Sequence, residues 1–389
     1  MRVSNLPVGV AAAPRGANQA GAAAHNARLV LTLLREGGAT SGAEVARRTG
    51  LSPQAASGIL KRLEDTGLVR RSGALRGQVG KPRLPYALVP NGAWALGLKV
   101  GRRSGELVLA DLAGGIRARA AASWPRPMPG PLAAFLERAV PATIESGRRA
   151  GMEPARLAGV GVAMPWEVWA WHEKGEARPG DAEAWRRFDL AAFLSRLARA
   201  PVALRNDITC AARAELAWGP PRPARDWAYF HVGTFVGGGV VFDGRVRDGR
   251  QGNAGAFGSL SSPGPGGRVQ LIDRASLLAL DRAAPGGLPP GGWPDLEAWV
   301  APWLAEASAA LAQAALDVCA VIDFEAVVID GAFPPGLRDR LVAAVRARIP
   351  GLDARGLLVP DIEAGTMGAD ARALGAATVA LERVHFLDG

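Results

Sequence analysis

Residues 40–64 read TSGAEVARRTGLSPQAASGILKRLE, and this stretch decides how the first part of the chain folds. Ser41 and Glu44 form an S-x-x-E capping box, which is typical of a helix start. Gly50 supplies the left-handed conformation that a sharp turn needs. Ser52-Pro53 then begins another helix, with serine as the N-cap and proline at the first position. The stretch therefore predicts two short helices joined by a tight turn.

The second of these helices has an apolar face and a polar face. Four apolar residues recur at helical spacing and are expected to face a small core: Ala56, Ile59, Leu60 and Leu63. Four polar residues fall on or near the opposite face and are candidates for contact with DNA: Gln54, Ser57, Lys61 and Arg62. We expect the first three to reach base edges, and Arg62 to contact a phosphate.

Neighbouring segments complete a winged helix-turn-helix. A helix is predicted over residues 26–35, and two strands are predicted at 68–70 and 86–88. The loop between the strands, RSGALRGQVGKPR, is rich in glycine and basic residues. Its candidates for the minor groove or the DNA backbone are Arg76, Gln78, Lys81 and Arg83. Three helices and a basic hairpin are the parts of a winged helix-turn-helix, which binds double-stranded DNA.

Positive charge is concentrated in the same region. Residues 26–90 contain eleven Lys and Arg against four Asp and Glu, a net charge of +7. The whole chain of 389 residues carries +10 and residues 1–25 carry +2, so residues 91–389 carry only +1. A DNA phosphate backbone attracts such a surface, which makes a DNA operator the favoured partner. Two other interpretations stay open, a solvated basic face and a protein-interaction module.

The overall composition is that of a globular protein, with 49% hydrophobic and 21% charged residues. Residues 1–25 are predicted to be a flexible tail, because residues 7–24 are rich in Ala, Gly and Pro. The stretch lacks the Leu/Val-rich apolar core of a signal peptide. No run of about 18 apolar residues occurs, so no membrane span is expected. Cys210 and Cys319 lie far apart, which fits a reducing cytoplasm and gives no metal-binding spacing. We expect a cytoplasmic protein without metal or cofactor.

The remainder of the chain alternates strands with helices, which predicts an α/β body. Its notable motifs are VAMP at 162–165, Asn206-Asp207, HVGTFVGGG at 231–239, GNAG at 252–255 and LGAA at 374–377. In this order, and behind a winged helix-turn-helix, they resemble the ROK family, named for repressors, open reading frames and sugar kinases. The resemblance spans nearly the whole chain from residue 26. It implies an actin-like ATPase fold of two lobes.

The resemblance also implies a domain organisation. The winged helix-turn-helix covers residues 26–90. The first lobe covers residues 91–205 and is completed by the C-terminal helix, 368–389. The second and larger lobe covers residues 206–367.

Several residues depart from the pattern of the ROK kinases. Where the kinases carry Asp-x-Gly for ATP phosphates and metal, this chain has Lys99-Val100-Gly101, so a cation replaces a carboxylate. Phe235 replaces a glycine of the Gly-rich turn. The glutamate that holds sugar hydroxyls is Ala256, the zinc-binding histidine is Ser259, and no cysteine follows for sixty residues. These departures argue against kinase activity and against zinc.

Other groups of the kinase site are retained. The candidates for ligand contact are Asn206, Asp207, Gly233, Thr234 and Asn253. In the kinases the aspartate is the general base and the asparagine binds the sugar. Asp207 is also a typical N-cap for a helix beginning at Ile208, so both interpretations stay open. The same holds for three tryptophans, which either stack on a ligand or pack in their loop: Trp166, Trp169 and Trp171.

The favoured interpretation is a DNA-binding transcriptional regulator, a repressor, and not an enzyme. Its body senses a small molecule, such as a sugar or a sugar derivative, or mediates dimerisation. A homodimer or a dimer of dimers is expected, because two half-sites bind far better than one. The alternatives are a ROK sugar kinase with an appended DNA-binding domain, and a regulator that has lost its ligand response.

Overall fold

The computed structural model describes residues 19–73, 84–165, 180–264, 266–284, 287–288, 293 and 296–388. The chain forms two compact units. The first contains Met1–Cys210 and Ala373–Gly389, and the second contains Ala211–Arg372. The second unit therefore begins and ends five residues later than the lobe expected at 206–367, and both crossings fall inside helices.

A winged helix-turn-helix opens the first unit, as predicted. Its elements are α1 (Gln19–Gly37), α2 (Gly42–Thr49), α3 (Pro53–Asp65), β1 (Val69–Arg71) and β2 (Tyr86–Leu88). The two strands are antiparallel, and Thr40 adds a bridge to Tyr86. We call residues 19–73 and 84–90 the head. The four apolar residues predicted for α3 are all buried, at 5% exposure or less.

The start of α1 corrects the expected flexible tail of residues 1–25. The helix begins at Gln19 instead of Asn26, so residues 19–25 are helical. These residues are mostly alanine, which has the highest helix propensity but gives no apolar periodicity to detect.

A five-stranded mixed sheet forms the body of the first unit. Its strands are β3 (Trp94–Val100), β4 (Ser104–Asp111), β5 (Ile116–Ser123), β6 (Leu157–Met164) and β7 (Val202–Asn206), in the order β5-β4-β3-β6-β7. The helices α4 (Pro129–Arg149), α5 (Asp181–Arg187) and α6 (Leu190–Ala198) follow the sheet strands along the chain. Trp94, Leu96 and Leu98 of the central strand are fully buried, so β3 is the middle of this core.

The second unit repeats this sheet pattern. Its strands are β8 (Trp227–Val232), β9 (Val236–Phe242), β10 (Arg245–Arg247), β13 (Ala326–Gly331) and β14 (Asp361–Ala364), in the order β10-β9-β8-β13-β14. In both sheets an antiparallel hairpin pair lies on one side and parallel strands lie on the other. Two mixed sheets of the same topology are what the actin-like fold requires. A small hairpin, β11 (Ser261–Gly264) and β12 (Gly267–Gln270), stands apart from the sheet.

Within the described residues, six α-helices belong wholly or partly to the second unit. They are α7 (Asp207–Trp218), α8 (Leu271–Ala275), α9 (Leu277–Ala283), α10 (Glu297–Cys319), α11 (Pro335–Arg348) and α12 (Ala371–Val384). Helices α8 and α9 are separated at Ser276, whose hydroxyl accepts a hydrogen bond from the Val236 amide at 2.8 Å. Within the described residues, no helix has both the length and the apolar composition to cross a bilayer.

Candidate functional site

Two capped helix starts fix the position of α3 in the head. The Ser41 hydroxyl accepts from the Glu44 amide at 3.3 Å, and the Ser52 hydroxyl accepts from the Ala55 amide at 3.2 Å. Gly50 adopts the left-handed conformation with φ 70°. The expected capping box is only half formed, because the Glu44 carboxylate binds the Arg47 guanidinium instead of the Ser41 amide.

The outer face of α3 is polar and open to solvent. Gln54, Ser57 and Lys61 are all exposed, and their spacing of three and four residues puts them on one side of the helix. The buried side chains of the same helix point the other way. The three residues predicted to read base edges therefore form one continuous surface.

Arg62 is exposed but lies on the flank of this face. It lines a groove of about 300 Å³ together with Ala23, Ala24 and Ala27 of α1. Contact of Arg62 with a phosphate stays a prediction.

The wing candidates Arg76, Gln78, Lys81 and Arg83 lie outside the described residues. The base of the hairpin is described, and Arg70 is exposed there. Arg71 is held by the Glu64 carboxylate at 3.3 Å and lies 5.6 Å from the centre of the Tyr86 ring. Arg70 is thus a further candidate for contact with a phosphate. From the sequence it was predicted only to belong to a strand.

The head is attached to the end of α12 by a buried ion pair. The Arg35 guanidinium lies 3.1 Å from the Glu382 carboxylate, and the two side chains are 2% and 1% exposed. The same guanidinium lies 4.7 Å from the centre of the Phe386 ring. Loss of either partner of a pair with this burial strongly destabilises the fold, because the other charge stays buried without a counter-charge.

Hydrogen bonds between side chains of α1 and backbone atoms near the end of the chain reinforce this junction. Arg28 donates to the carbonyl oxygens of Glu382, at 3.0 Å, and of Phe386. The Leu387 amide donates to the Thr32 hydroxyl at 2.9 Å. Helix α1 of the head therefore contacts both the last turn of α12 and the residues after it.

A second junction joins the head to the first sheet. The Arg156 guanidinium donates to the carbonyl oxygens of Thr66, at 3.1 Å, and Gly92, at 2.9 Å. A cavity of about 310 Å³ lies beside it, also lined by His385. Burial, and next the charge of Arg28, lower the pKa of His385 from 6.5 to about 4. The histidine is therefore neutral at physiological pH.

Asn206 and Asp207 lie at the junction of β7 and α7. The Asn206 side-chain oxygen accepts from the amides of Ile208, at 2.9 Å, and Thr209, at 3.1 Å. Asn206 is therefore the cap of α7, and the interpretation of Asp207 as the cap was wrong. Asp207 stands in the first helical turn and is 6% exposed.

The other three ligand candidates belong to the second unit. Gly233 and Thr234 form the turn between β8 and β9, where their carbonyl oxygens accept from the amides of Leu277 and Leu278 at the start of α9. Thr234 and Asn253 are exposed, whereas Gly233 is buried. The turn is thus held by backbone bonds and leaves the threonine hydroxyl at the surface.

Packing explains part of the glycine-rich sequence of β9. A side chain at Gly238 would overlap the Phe257 ring and the Gly255 carbonyl oxygen. Phe257 in turn stacks on Phe230, with 5.0 Å between ring centres. These glycines lie in a strand and not in the expected turn, and Gly238 is required by a neighbouring aromatic side chain.

Lys99 is held inside the β3–β4 hairpin. Its ammonium donates to the Ser104 hydroxyl at 2.9 Å, and the Trp124 indole donates to the Gly101 carbonyl oxygen at 3.2 Å. A cation thus occupies the place where a carboxylate would bind magnesium. In the part of the chain that the structure describes, no three His, Cys, Asp or Glu side chains gather into a metal site.

Comparison with known proteins identifies two families along the chain. Residues 95–266 match the profile of the ROK family. Residues 24–75, which contain α2, α3 and most of α1, match the profile of the MarR family.

An enzyme and a transcriptional regulator both occur among the relatives. The uncharacterized protein y4fQ of Sinorhizobium fredii is 26% identical over 93% of this chain and 92% of its own length. The bifunctional enzyme NanE/NanK of Brucella melitensis is 32% identical over 46% of this chain and 35% of its own. The DNA-binding transcriptional dual regulator NagC of Escherichia coli is 24% identical over 60% of this chain and 57% of its own.

A solved structure agrees with the fold over nearly the whole chain. It is a ROK family transcriptional regulator, described as a homologue of the E. coli MLC protein. The TM-score is 0.66 at 18% identity, and the match covers 92% of this chain and 96% of that one. The chain is therefore similar to the ROK family over residues 95–266 and to the MarR family over residues 24–75, and it shares the fold of that solved structure.

Proposed function

We propose that this protein is a DNA-binding transcriptional regulator, a repressor, whose kinase-like body senses a sugar or a sugar derivative. The observation that carries the proposal is the outer face of α3. Gln54, Ser57 and Lys61 stand exposed on a helix fixed at both ends, in a region with a net charge of +7. A helix of this kind suits the major groove, and the charge suits the phosphates beside it.

The comparisons support a regulator. The MarR family match covers the head, and NagC, a relative over 60% of the chain, is named as a DNA-binding transcriptional regulator. The buried junction of Arg35 with Glu382 supports a head that responds to the body, because it joins α1 to the C-terminal helix.

Two features of the body support a sensing role, and the first of them also argues against catalysis. Lys99 takes the place of the carboxylate expected for a magnesium-phosphate site, and it is hydrogen-bonded within its hairpin. Asn206 and Asp207 are retained, which supports contact with a polar ligand such as a sugar hydroxyl. We place Gly233, Thr234 and Asn253 in the same proposed role.

A dimer follows from the DNA-binding mode. One head presents a single short recognition helix, which reads only a few base pairs. Two heads on adjacent half-sites multiply the affinity through their effective concentration. The proposed partner is thus a two-fold operator, bound by a homodimer or a dimer of dimers.

Selection from a random double-stranded DNA library tests the proposal. The full-length protein should enrich a defined operator. Lys61→Ala with Arg83→Ala should weaken binding to that operator and reduce the slope of log affinity against log salt by about 1 per lost phosphate contact. Arg245→Ala, an exposed arginine of β10 outside the head, is the control and should bind as the wild type does. A wild-type protein that enriches no sequence contradicts the proposal.

The alternative function is a sugar kinase with a DNA-binding head. The observation that favours it is the 35% identity to the beta-glucoside kinase of Listeria monocytogenes over 104 residues. An ATP-turnover assay over hexoses and amino sugars separates the two, since phosphorylation that is lost in Asp207→Asn would establish the kinase. A regulator without ligand response is the third outcome, and it would show no thermal stabilisation by any sugar or sugar phosphate.

A further inference from the structure

Gly58 lies in the middle of the outer face of α3. It is exposed and helical, and it is not among the residues with positive φ. Gln54 precedes it by one helical turn, Ser57 is its neighbour and Lys61 follows by one turn. Gly58 is thus the centre of the surface proposed to read base edges.

The fold itself does not require a glycine at this position. A Cβ atom added to Gly58 would meet no atom of the described residues within 4 Å. Two other glycines of the head show the contrast: Gly50 has a φ of 70°, and a Cβ on Gly92 would lie 2.7 Å from the Gly67 carbonyl oxygen. Neither a left-handed conformation nor close packing explains Gly58.

Gly58 lowers the folding stability of the free protein. A glycine inside a helix lowers the folding equilibrium constant about fourfold to fivefold relative to alanine, because it loses more backbone entropy. No close approach of a described residue requires the missing Cβ. Within the described residues, the free protein thus gains nothing from the missing side chain.

We infer that Gly58 is a specificity-determining position, at which the backbone of α3 lies directly against the floor of the DNA major groove. This inference rests on the proposed function. A methyl group on the Cα would extend about 1.5 Å toward the bases. Hydrogen bonds from Gln54 and Lys61 weaken steeply beyond about 3.2 Å, so even a small displacement of the helix disrupts them. The absent Cβ sets the depth at which the neighbouring side chains read the sequence.

The test compares Gly58→Ala with Gly130→Ala in the full-length protein. Gly130 is also an exposed helical glycine with nothing within 4 Å of its Cβ, but it belongs to α4 of the body. The operator is the sequence that the wild-type protein enriches from a random library. Thermal unfolding and affinity for this operator are measured for each variant.

Gly58→Ala should unfold about 2–4 °C higher than the wild type and lose on the order of tenfold in operator affinity. Gly130→Ala should keep the wild-type affinity. A gain in stability together with a loss in binding excludes misfolding as the cause. The inference is overturned if Gly58→Ala binds the operator within about twofold of the wild type. A wild type that enriches no operator overturns the proposed function, and this inference with it.

Discussion

Glu382→Gln is the sharpest test of how the head is attached. The Glu382 carboxylate lies 3.1 Å from the Arg35 guanidinium, and both side chains are at most 2% exposed. Glutamine preserves the shape of the side chain and the helical propensity of α12 but removes its charge. Arg35 then remains buried next to Phe386 without the carboxylate.

The expected loss follows from the burial of the pair. Removing one partner of a buried ion pair costs about 3–5 kcal/mol. We expect the lower end, about 3 kcal/mol, because the glutamine oxygen still accepts one hydrogen bond. In a unit of this size the melting temperature falls by roughly 2–4 °C for each kcal/mol, so the variant should unfold roughly 6–12 °C below the wild type.

Calorimetry on the full-length chain measures this loss, with two comparison variants. Glu44→Gln removes a carboxylate whose partner, Arg47, is 73% exposed, and it should leave the melting temperature unchanged. The double variant Arg35→Met/Glu382→Leu leaves no buried charge and should recover at least half of the loss. An unchanged melting temperature in Glu382→Gln, or no recovery in the double variant, would refute the reasoning.

Two further predictions concern other parts of the molecule. Because burial and Arg28 lower the pKa of His385 to about 4, its contribution to stability is present above pH 6.5 and is lost as the pH falls toward 4. Urea unfolding should show a loss on the order of 3 kcal/mol across that window, and His385→Gln should remove this part of the pH dependence. Gly238→Ala should destabilise the second unit by about 1–3 kcal/mol, because the new methyl group overlaps the Phe257 ring. In thermal unfolding, the double variant Gly238→Ala/Phe257→Ala should lose less stability than the sum of the losses in the two single variants. A loss equal to that sum would count against the overlap.

Local chemistry made the head predictable. Ser41, Gly50 and Ser52 act through partners within three residues or through their own backbone, so a short stretch of sequence contains the information. The apolar spacing of α3 identifies its buried face for the same reason. The resemblance to the ROK family added the two-lobed body, which periodicity alone would have left as an α/β fold.

Long-range contacts and backbone details were not predictable in this way. Arg35 and Glu382 are separated by 347 positions, and nothing in either local sequence identifies the partner. The cap of α7 is Asn206 and not Asp207. The sequence could not distinguish the two, because both residue types favour N-caps and only the backbone geometry decides between them. The break between α8 and α9 depends on a hydrogen bond from Val236, which lies 40 positions away.

Three glycines at the contacts of α12 with its neighbours show why this helix is suited to couple the body to the head. Side chains at Gly97 of β3 and Gly161 of β6 would overlap the backbone of α12, and a side chain at Gly375 would overlap the Cys210 carbonyl oxygen of α7. Because backbones touch at these three places, α12 cannot shift along the sheet without repacking it. Its other end holds α1 through the buried Glu382. Tight backbone packing at these places does not accommodate a displacement of α12 locally. We therefore expect such a displacement to be transmitted to α1 and, through α1, to the recognition helix α3.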